Sequence, residues 1–239
     1  MKNVTKISLF ALVVTMVLTS IMCGSSNRLM EYDFKDRTAS AMMALPPPPE
    51  VFTDSFWMGG DEDNIIETAI RIGTTIAKEV EVYKTQEKMN NAMERVDVPE
   101  RIRERTLDRC SNYLRYQPVD DPDNADFLFD MHIQNYGIDA KSWDASVHFK
   151  IDVKVYLIDN KKGIEVWRKR VKERMPVTRS TFGLPDAAGD IITAVSLSSL
   201  SEEDMAEGFA HLADFTADRV ARKLSEDFAK ARSKREERK

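Results

Sequence analysis

The sequence predicts an α+β fold, in which an antiparallel sheet of three or more strands packs on amphipathic helices. Two stretches, 125–135 and 145–157, alternate apolar and polar side chains with a period of two, as half-buried strands do. Two others, 66–83 and 205–228, repeat apolar side chains every three or four residues, as one face of a helix does. An apolar run at the amino terminus adds a signal or anchor segment to this domain.

The first 22 residues have the layout of a secretory signal. Lys2 and Lys6 form a basic start, and the stretch from 7 to 22 is apolar except for two serines and two threonines. This run is shorter than the roughly 20 apolar residues that a membrane-spanning helix normally needs. We therefore expect export, with a single uncleaved anchor helix as the alternative.

A cysteine directly after the apolar run resembles the processing site of bacterial lipoproteins. Cys23 is followed by Gly24 and two serines, and the resemblance implies an acyl chain such as palmitate on this cysteine. Met22 is bulkier than the residue that usually precedes such a cysteine, so a transmembrane anchor ending here stays open. Gly24 stands where some inner-membrane lipoproteins carry aspartate. We expect a domain that faces the periplasm in the cell envelope, with the outer membrane favoured.

Residues 23–50 are predicted to form a lipid-anchored tether. They show no regular period and end in four consecutive prolines, which favour a stiff, extended chain. The α+β domain is then expected over 51–230, with a first edge strand at 51–58 and a basic tail at 231–239.

Charge and cysteine content exclude some classes of protein. The whole chain has a formal net charge of −5, and loss of the signal segment removes two lysines and makes it more acidic. An acidic protein does not suit nucleic acid, whose phosphates require a basic surface. With Cys23 acylated, Cys110 is the remaining thiol, so no disulfide forms within the chain. Its position in a helical pattern predicts a buried, unreactive side chain.

Helical patterns account for three segments. The first, at about 64–84, follows three acidic residues that suit the amino-terminal end of a helix dipole. The stretch 86–97 is polar and ambiguous. The second helix begins near Pro99 and stops before Pro118. The third, at about 201–230, opens on a capping box and leads into the basic tail, which is expected to be a solvated helix end. Contact of this tail with anionic lipid is the alternative.

The strand patterns predict a hairpin and a third strand. A turn at 137–140 would place Met131 opposite Phe149 and His132 opposite His148. A second turn at 159–163 carries a glycine where a left-handed residue is needed. The third strand, 164–175, alternates poorly, which indicates a bulge or an edge position. Residues 178–200 are left open between a strand and a loose lid.

Few residues can be assigned to chemistry. His132, His148 and Asp130 would share one sheet face in that register and are candidate metal ligands, although exposed strand residues are the favoured explanation and no metal is assigned. No phosphate-binding loop, nucleophile elbow, HExxH or CxxC motif occurs. We therefore assign no catalytic residue, no cofactor and no small-molecule substrate, and a non-enzymatic protein is favoured.

The strands also carry a family resemblance. ADFLFDMHIQNYGI at 125–138, the strand that ends LID, and the glycine turn before IEVW resemble small bacterial envelope lipoproteins. These include transport-auxiliary, curli-secretion and peptidoglycan-synthase-activating lipoproteins. The resemblance implies a compact α+β domain that binds another envelope protein, and pairing along a sheet edge at Val166–Val171 is the expected mode. The competing hypothesis is an envelope hydrolase or metal-dependent enzyme that uses the face of His132 and His148.

Overall fold

The computed structural model of the protein describes residues 27–52, 83–139, 146–178 and 200–236. These form one six-stranded sheet with helices on one face, which confirms the α+β class. No helix in these ranges is both long and apolar enough to cross a membrane. The strands are β1 (Thr38–Met43), β2 (Glu50–Phe52), β3 (Gln117–Pro118), β4 (Phe127–Asp139), β5 (His148–Asp159) and β6 (Ile164–Pro176). The helices are α1 (83–95), α2 (Val98–Leu114) and α3 (Glu202–Glu236), with a short 3-10 turn at Leu29–Glu31.

The sheet combines an antiparallel meander with parallel strands from the amino-terminal region. Its order is β3-β1-β4-β5-β6, and β4, β5 and β6 are antiparallel as predicted. β1 and β2 both run parallel to β4 and pair with successive parts of it, Ala41 opposite Phe129 and Glu50 opposite Gly137. The amino-terminal segment therefore completes a sheet that the later strands begin.

The core lies between the sheet and the helices, as the apolar faces predict. Phe129, Phe149 and Val153 have no exposed surface, and Ile151 is 1% exposed. The apolar stripe of α3 packs on β5 and β6, and the ring centroids of Phe149 and Phe209 lie 4.9 Å apart. α2 packs on α3 and β1 in the same layer.

The starts of α2 and α3 are capped by side chains, and the cap of α3 is the one that the sequence predicts. The side chain of Asp97 accepts a hydrogen bond from the amide of Glu100 at 2.9 Å, and Pro99 lies in the first turn of α2. At α3, the amide of Asp204 donates to Ser201 Oγ, and the amide of Ser201 donates to Asp204 Oδ2. This reciprocal pair is the capping box that the sequence indicates.

The expected tether is wrong in part, because Thr38–Met43 forms β1 inside the sheet. This segment reads TASAMM, and its small side chains give no alternation of large apolar and polar residues. They fit because β1 is covered by α2, where Ala39 and Ala41 are buried. The four prolines lie between β1 and β2, along the same side of β4, rather than in a free linker.

The predicted register of β4 and β5 is also wrong. Met131 lies opposite Val155, and His132 lies opposite Lys154. The reason is that Gly137 does not form the turn: β4 continues to Asp139, and an irregularity between Ile133 and Asn135 shifts the pairing by one residue. The connection between β4 and β5 therefore follows Asp139, further along the chain than the predicted turn at 137–140.

Several expectations fall outside the described residues. Most of the helix at 64–84 lies there, as do the signal segment and nearly all of 178–200. Within the described ranges, the stretch left ambiguous at 86–97 is helical up to residue 95.

Candidate functional site

β6 has both the bulge and the edge position that the sequence offered as alternatives. It is the last strand in the sheet order, and its pairing with β5 shifts between Leu157 and Ile158, which leaves Val166 as an extra residue. The turn before it carries Gly163 at φ +65°, as predicted. The bulge puts both Val166 and Trp167 in the core, which explains the poor alternation in the sequence.

The hydrogen bonds show which residues of β6 face away from the sheet. The amide of Val177 donates to the carbonyl of Val147, directly across the pair, at 2.8 Å. In an antiparallel ladder such bonded positions recur every second residue, so odd-numbered residues of β6 bond β5. Even-numbered residues from 168 to 176 therefore direct their backbone groups outward. We call this outward side of residues 168–176 the β6 edge.

The β6 edge carries a row of basic side chains. Its even-numbered residues are Arg168, Arg170, Lys172, Arg174 and Pro176. Because neighbouring side chains alternate in a strand, the four cations lie on the sheet face opposite to the helices. Pro176 has no amide hydrogen to leave unpaired and so suits the outward side of an edge strand.

Carboxylates on β5 and β4 pair with two cations of this row. The guanidinium of Arg170 donates to Asp152 Oδ1 at 2.7 Å, and Arg174 Nε lies 3.0 Å from Asp139 Oδ2. The hydrogen bond that Arg170 donates to Asp152 raises the pKa of Arg170 above its ordinary value. Asp152 is itself only 4% exposed, and its carboxylate accepts its hydrogen bonds from Arg170.

A groove lies on each side of β6. Both have volumes of about 320 Å³. The helix-side groove is lined by Arg170, Val171, Lys172, Glu173, Arg219 and Lys223. The groove on the opposite face is lined by Asn135, Asp139, Lys150, Ile151, Asp152, Arg170, Lys172, Glu173 and Arg174. A strand added to the β6 edge would direct alternate side chains into these two grooves.

The chain's own amino-terminal segment pairs with β6 just before this edge. Asn27 forms an antiparallel bridge with Trp167, and the amide of Arg28 donates to the carbonyl of Val166 at 2.8 Å. The expected pairing site at Val166–Val171 is thus occupied at its beginning. Among the described residues, no strand pairs with the β6 edge from Arg170 onward.

A larger cleft lies next to this bridge. We call it the amino-terminal cleft; its volume is about 950 Å³. At its wall, Asp227 accepts hydrogen bonds from Trp167 Nε1 at 3.1 Å and from Lys169 Nζ at 2.9 Å. Burial acts to raise the pKa of Asp227, but these two donors outweigh it and keep the pKa below its ordinary value. The cleft is lined by Asn27, Arg28, Met30, Glu31, Tyr32, Asp33, Trp167, Arg168, Lys169, Asp227, Lys230, Ala231 and Lys234.

The structure separates the two histidines that the sequence placed together. His132 Nε2 lies 3.0 Å from Asp130 Oδ2, and the rings of His132 and Tyr156 are perpendicular with centroids 5.8 Å apart. His148 pairs with Asp139, seven residues further along β4, which is about 23 Å away at about 3.3 Å per residue. Within the described ranges, no group of three or more His, Cys, Asp or Glu side chains is arranged to hold a metal ion.

Of the two cysteines, only Cys110 lies among the described residues. Cys110 has no exposed surface, as predicted, and burial strongly raises the pKa of its thiol. Cys23 lies outside the described residues, four positions before Asn27.

The basic row of β6 was not identified from the sequence. Its signal is the run RKRVKER at 168–174, in which every even position is basic. The odd positions Lys169 and Glu173 are charged as well, so the sequence shows no alternation of charged and apolar residues. In the structure these two side chains lie on the helix side, where they pair with Asp227 and Arg219 of α3.

Comparisons with known proteins give no family. No protein-family model matches the chain, and no curated protein matches it. Among solved structures, a PelC dodecamer from Paraburkholderia phytofirmans matches with 10% identity over 84% of this chain and 94% of the other, at a TM-score of 0.38. A point variant of the same dodecamer matches with 10% identity over 80% and 89%, at 0.35. Protein XCC0632 from Xanthomonas campestris matches with 9% identity over 54% and 65%, at 0.29. Similarity at these scores supports no functional argument.

Proposed function

We propose that this chain is a membrane-tethered envelope lipoprotein that binds another envelope protein along the β6 edge, as an assembly or auxiliary component. The anchor is the acyl chain on Cys23, and the domain faces the periplasm. The observation that carries the proposal is the row of outward backbone groups at residues 170–174, unpaired within the described part of the chain. Such a row binds an added strand through main-chain hydrogen bonds.

The side chains of the edge define the chemistry of the partner strand. Four cations at 168–174 face three nearby carboxylates, those of Asp139, Asp152 and Glu165. An incoming strand would place every second side chain directly opposite this row, and opposite charges at such positions stabilise pairing. We therefore propose an extended segment with acidic side chains at alternate positions.

The hypothesis of a hydrolase or metal-dependent enzyme loses its geometric basis. It required His132 and His148 on adjacent positions of one sheet face. In the observed register these imidazoles are about 23 Å apart. Contact with a partner protein is the better supported function.

Lys172→Pro tests the edge with little disturbance elsewhere. Proline at this outward position removes one unpaired amide, while the bonds of β6 to β5 use the odd-numbered residues. Lys172 is also the least constrained of the four cations, at 3.8 Å from Asp152 and 66% exposed. We expect the variant to fold and reach the membrane but to lose partner proteins that co-purify with the wild type from membranes of the native host.

Lys172→Ala is the matched control, because it removes the side chain and keeps the amide. It should still capture the partner, with the affinity reduced at most a few-fold by the lost charge. Equal capture by wild type and Lys172→Pro, with both folded by circular dichroism, would contradict binding along this edge.

A further inference from the structure

We infer that the amino-terminal cleft and the last turns of α3 form the membrane-facing side of the domain and rest on an anionic lipid surface. This inference rests on the proposed anchor at Cys23. It adds an orientation and a lipid class, which the binding of a partner protein at the β6 edge does not require.

Chain length places this side of the domain at the membrane. Asn27 is fixed by its bridge to Trp167 and by a hydrogen bond from its side-chain amide to the carbonyl of Asp227 at 3.0 Å. Cys23 lies four positions before it, and a fully extended chain spans at most about 3.6 Å per position. An acyl chain on Cys23 therefore holds Asn27 within about 14 Å of the lipid attachment point. A long proline tether does not separate the two, since the prolines lie beyond β1.

The charge of this side complements anionic headgroups. The chain as a whole has a net charge of −5, yet the cleft is lined by five basic and three acidic residues. Two of the acids have cationic partners within the cleft: Asp227 bonds Lys169, and Glu31 bonds Arg28. Each basic residue close to an anionic surface strengthens partitioning by about fivefold.

α3 continues the basic surface beyond the contact with Asn27. Asp227 lies two turns before the end of the described helix, and Lys230, Arg232 and Lys234 follow it. Basic residues at the end of a helix also complement its dipole. Stabilisation of the helix dipole requires no lipid. Binding to anionic lipid, by contrast, predicts that the position of α3 at the membrane depends on the charge of the lipid.

A fluorescent label at Ser233→Cys reports the distance of α3 from the membrane. The full, anchored chain would be reconstituted into vesicles of phosphatidylethanolamine and phosphatidylglycerol that contain a nitroxide-labelled lipid. We expect strong quenching at position 233 and none at His211→Cys, about 33 Å back along the helix. The buried thiol of Cys110 does not take the label.

Charge reversal tests the lipid class. Lys230→Glu with Lys234→Glu should reduce the quenching at 233, and replacing phosphatidylglycerol by phosphatidylcholine should do the same. Lys84→Glu with Arg115→Glu changes the net charge equally, at exposed positions that do not line the cleft, and should leave the quenching unchanged.

The outcomes distinguish failure of the proposed anchor at Cys23 from failure of the proposed orientation on the membrane. A chain that does not associate with vesicles contradicts the anchor, and with it the orientation. An anchored chain whose label at 233 is unquenched contradicts the orientation alone. Quenching that is unchanged by the charge reversal and by the removal of phosphatidylglycerol contradicts the proposal that this side of the domain binds anionic lipid.

Discussion

At the scale of single residues, two glycines occupy left-handed backbone positions for different reasons. Gly163, at φ +65°, closes the β5–β6 turn and has no atom near the position of a Cβ. Gly137, at φ +147°, lies in mid-strand, where a Cβ would stand 1.9 Å from the carbonyl oxygen of Glu50. The missing side chain of Gly137 thus lets β2 approach β4.

Gly137→Ala should destabilise the domain by about 2–3 kcal/mol, because backbone strain and the displacement of β2 add together. Gly163→Ala is the control, because it introduces backbone strain but no steric clash. It should lower the free energy of unfolding by about 1 kcal/mol. Urea unfolding of both variants measures the difference. Equal losses would mean that β2 does not depend on the close approach at Gly137.

At the scale of elements, Asp126 joins three of them. It precedes β4, accepts hydrogen bonds from the amide and hydroxyl of Thr38 at 3.0 and 3.2 Å, and pairs with Lys161 in the β5–β6 turn. Arg37 lies 3.8 Å away. The hydrogen bond from Lys161, followed by that from the Thr38 amide, lowers the pKa of Asp126 from 3.8 to about 2.

This lowered pKa predicts a loss of stability in acid. Folding favours the charged carboxylate, so its contribution is complete above about pH 4 and is lost as the pH falls from about 4 to about 2. We expect a contribution of about 1–2 kcal/mol, reduced by the exposure of Lys161. Urea unfolding across this range measures it. Asp126→Asn should be less stable at neutral pH and should lack this part of the pH dependence; an unchanged pH profile would contradict the assignment.

The elements predicted from sequence are those with strong periodicity. β4, β5 and α3 place large apolar side chains at regular spacing, and burial follows directly from that pattern. β1 was missed because alanine, serine and methionine have no such pattern, although parallel pairing with β4 buries its small side chains. The histidine site failed for another reason: one bulge and a strand longer than expected changed every cross-strand neighbour.

At the scale of the whole molecule, the proposed attachment to the membrane depends on a single atom, the sulfur of Cys23. Cys23→Ala should abolish fatty-acid labelling and move the protein from the detergent phase to the aqueous phase, because no second acyl site is proposed. Phase partition with mass spectrometry of the amino-terminal peptide measures both effects. A variant that stays with the membrane, beside a wild type without acyl mass, would identify a transmembrane anchor instead.

The attachment of the amino-terminal segment also determines when the domain can fold. Asn27 bonds a residue 200 positions later, and Thr38 bonds one 88 positions later. On the proposed route, this segment crosses the inner membrane first, while its partners in β4, β6 and α3 are still to follow. Contacts so distant in sequence form slowly. The topology therefore delays folding until the last helix has been translocated, and keeps the chain unfolded and suited to export through a narrow channel.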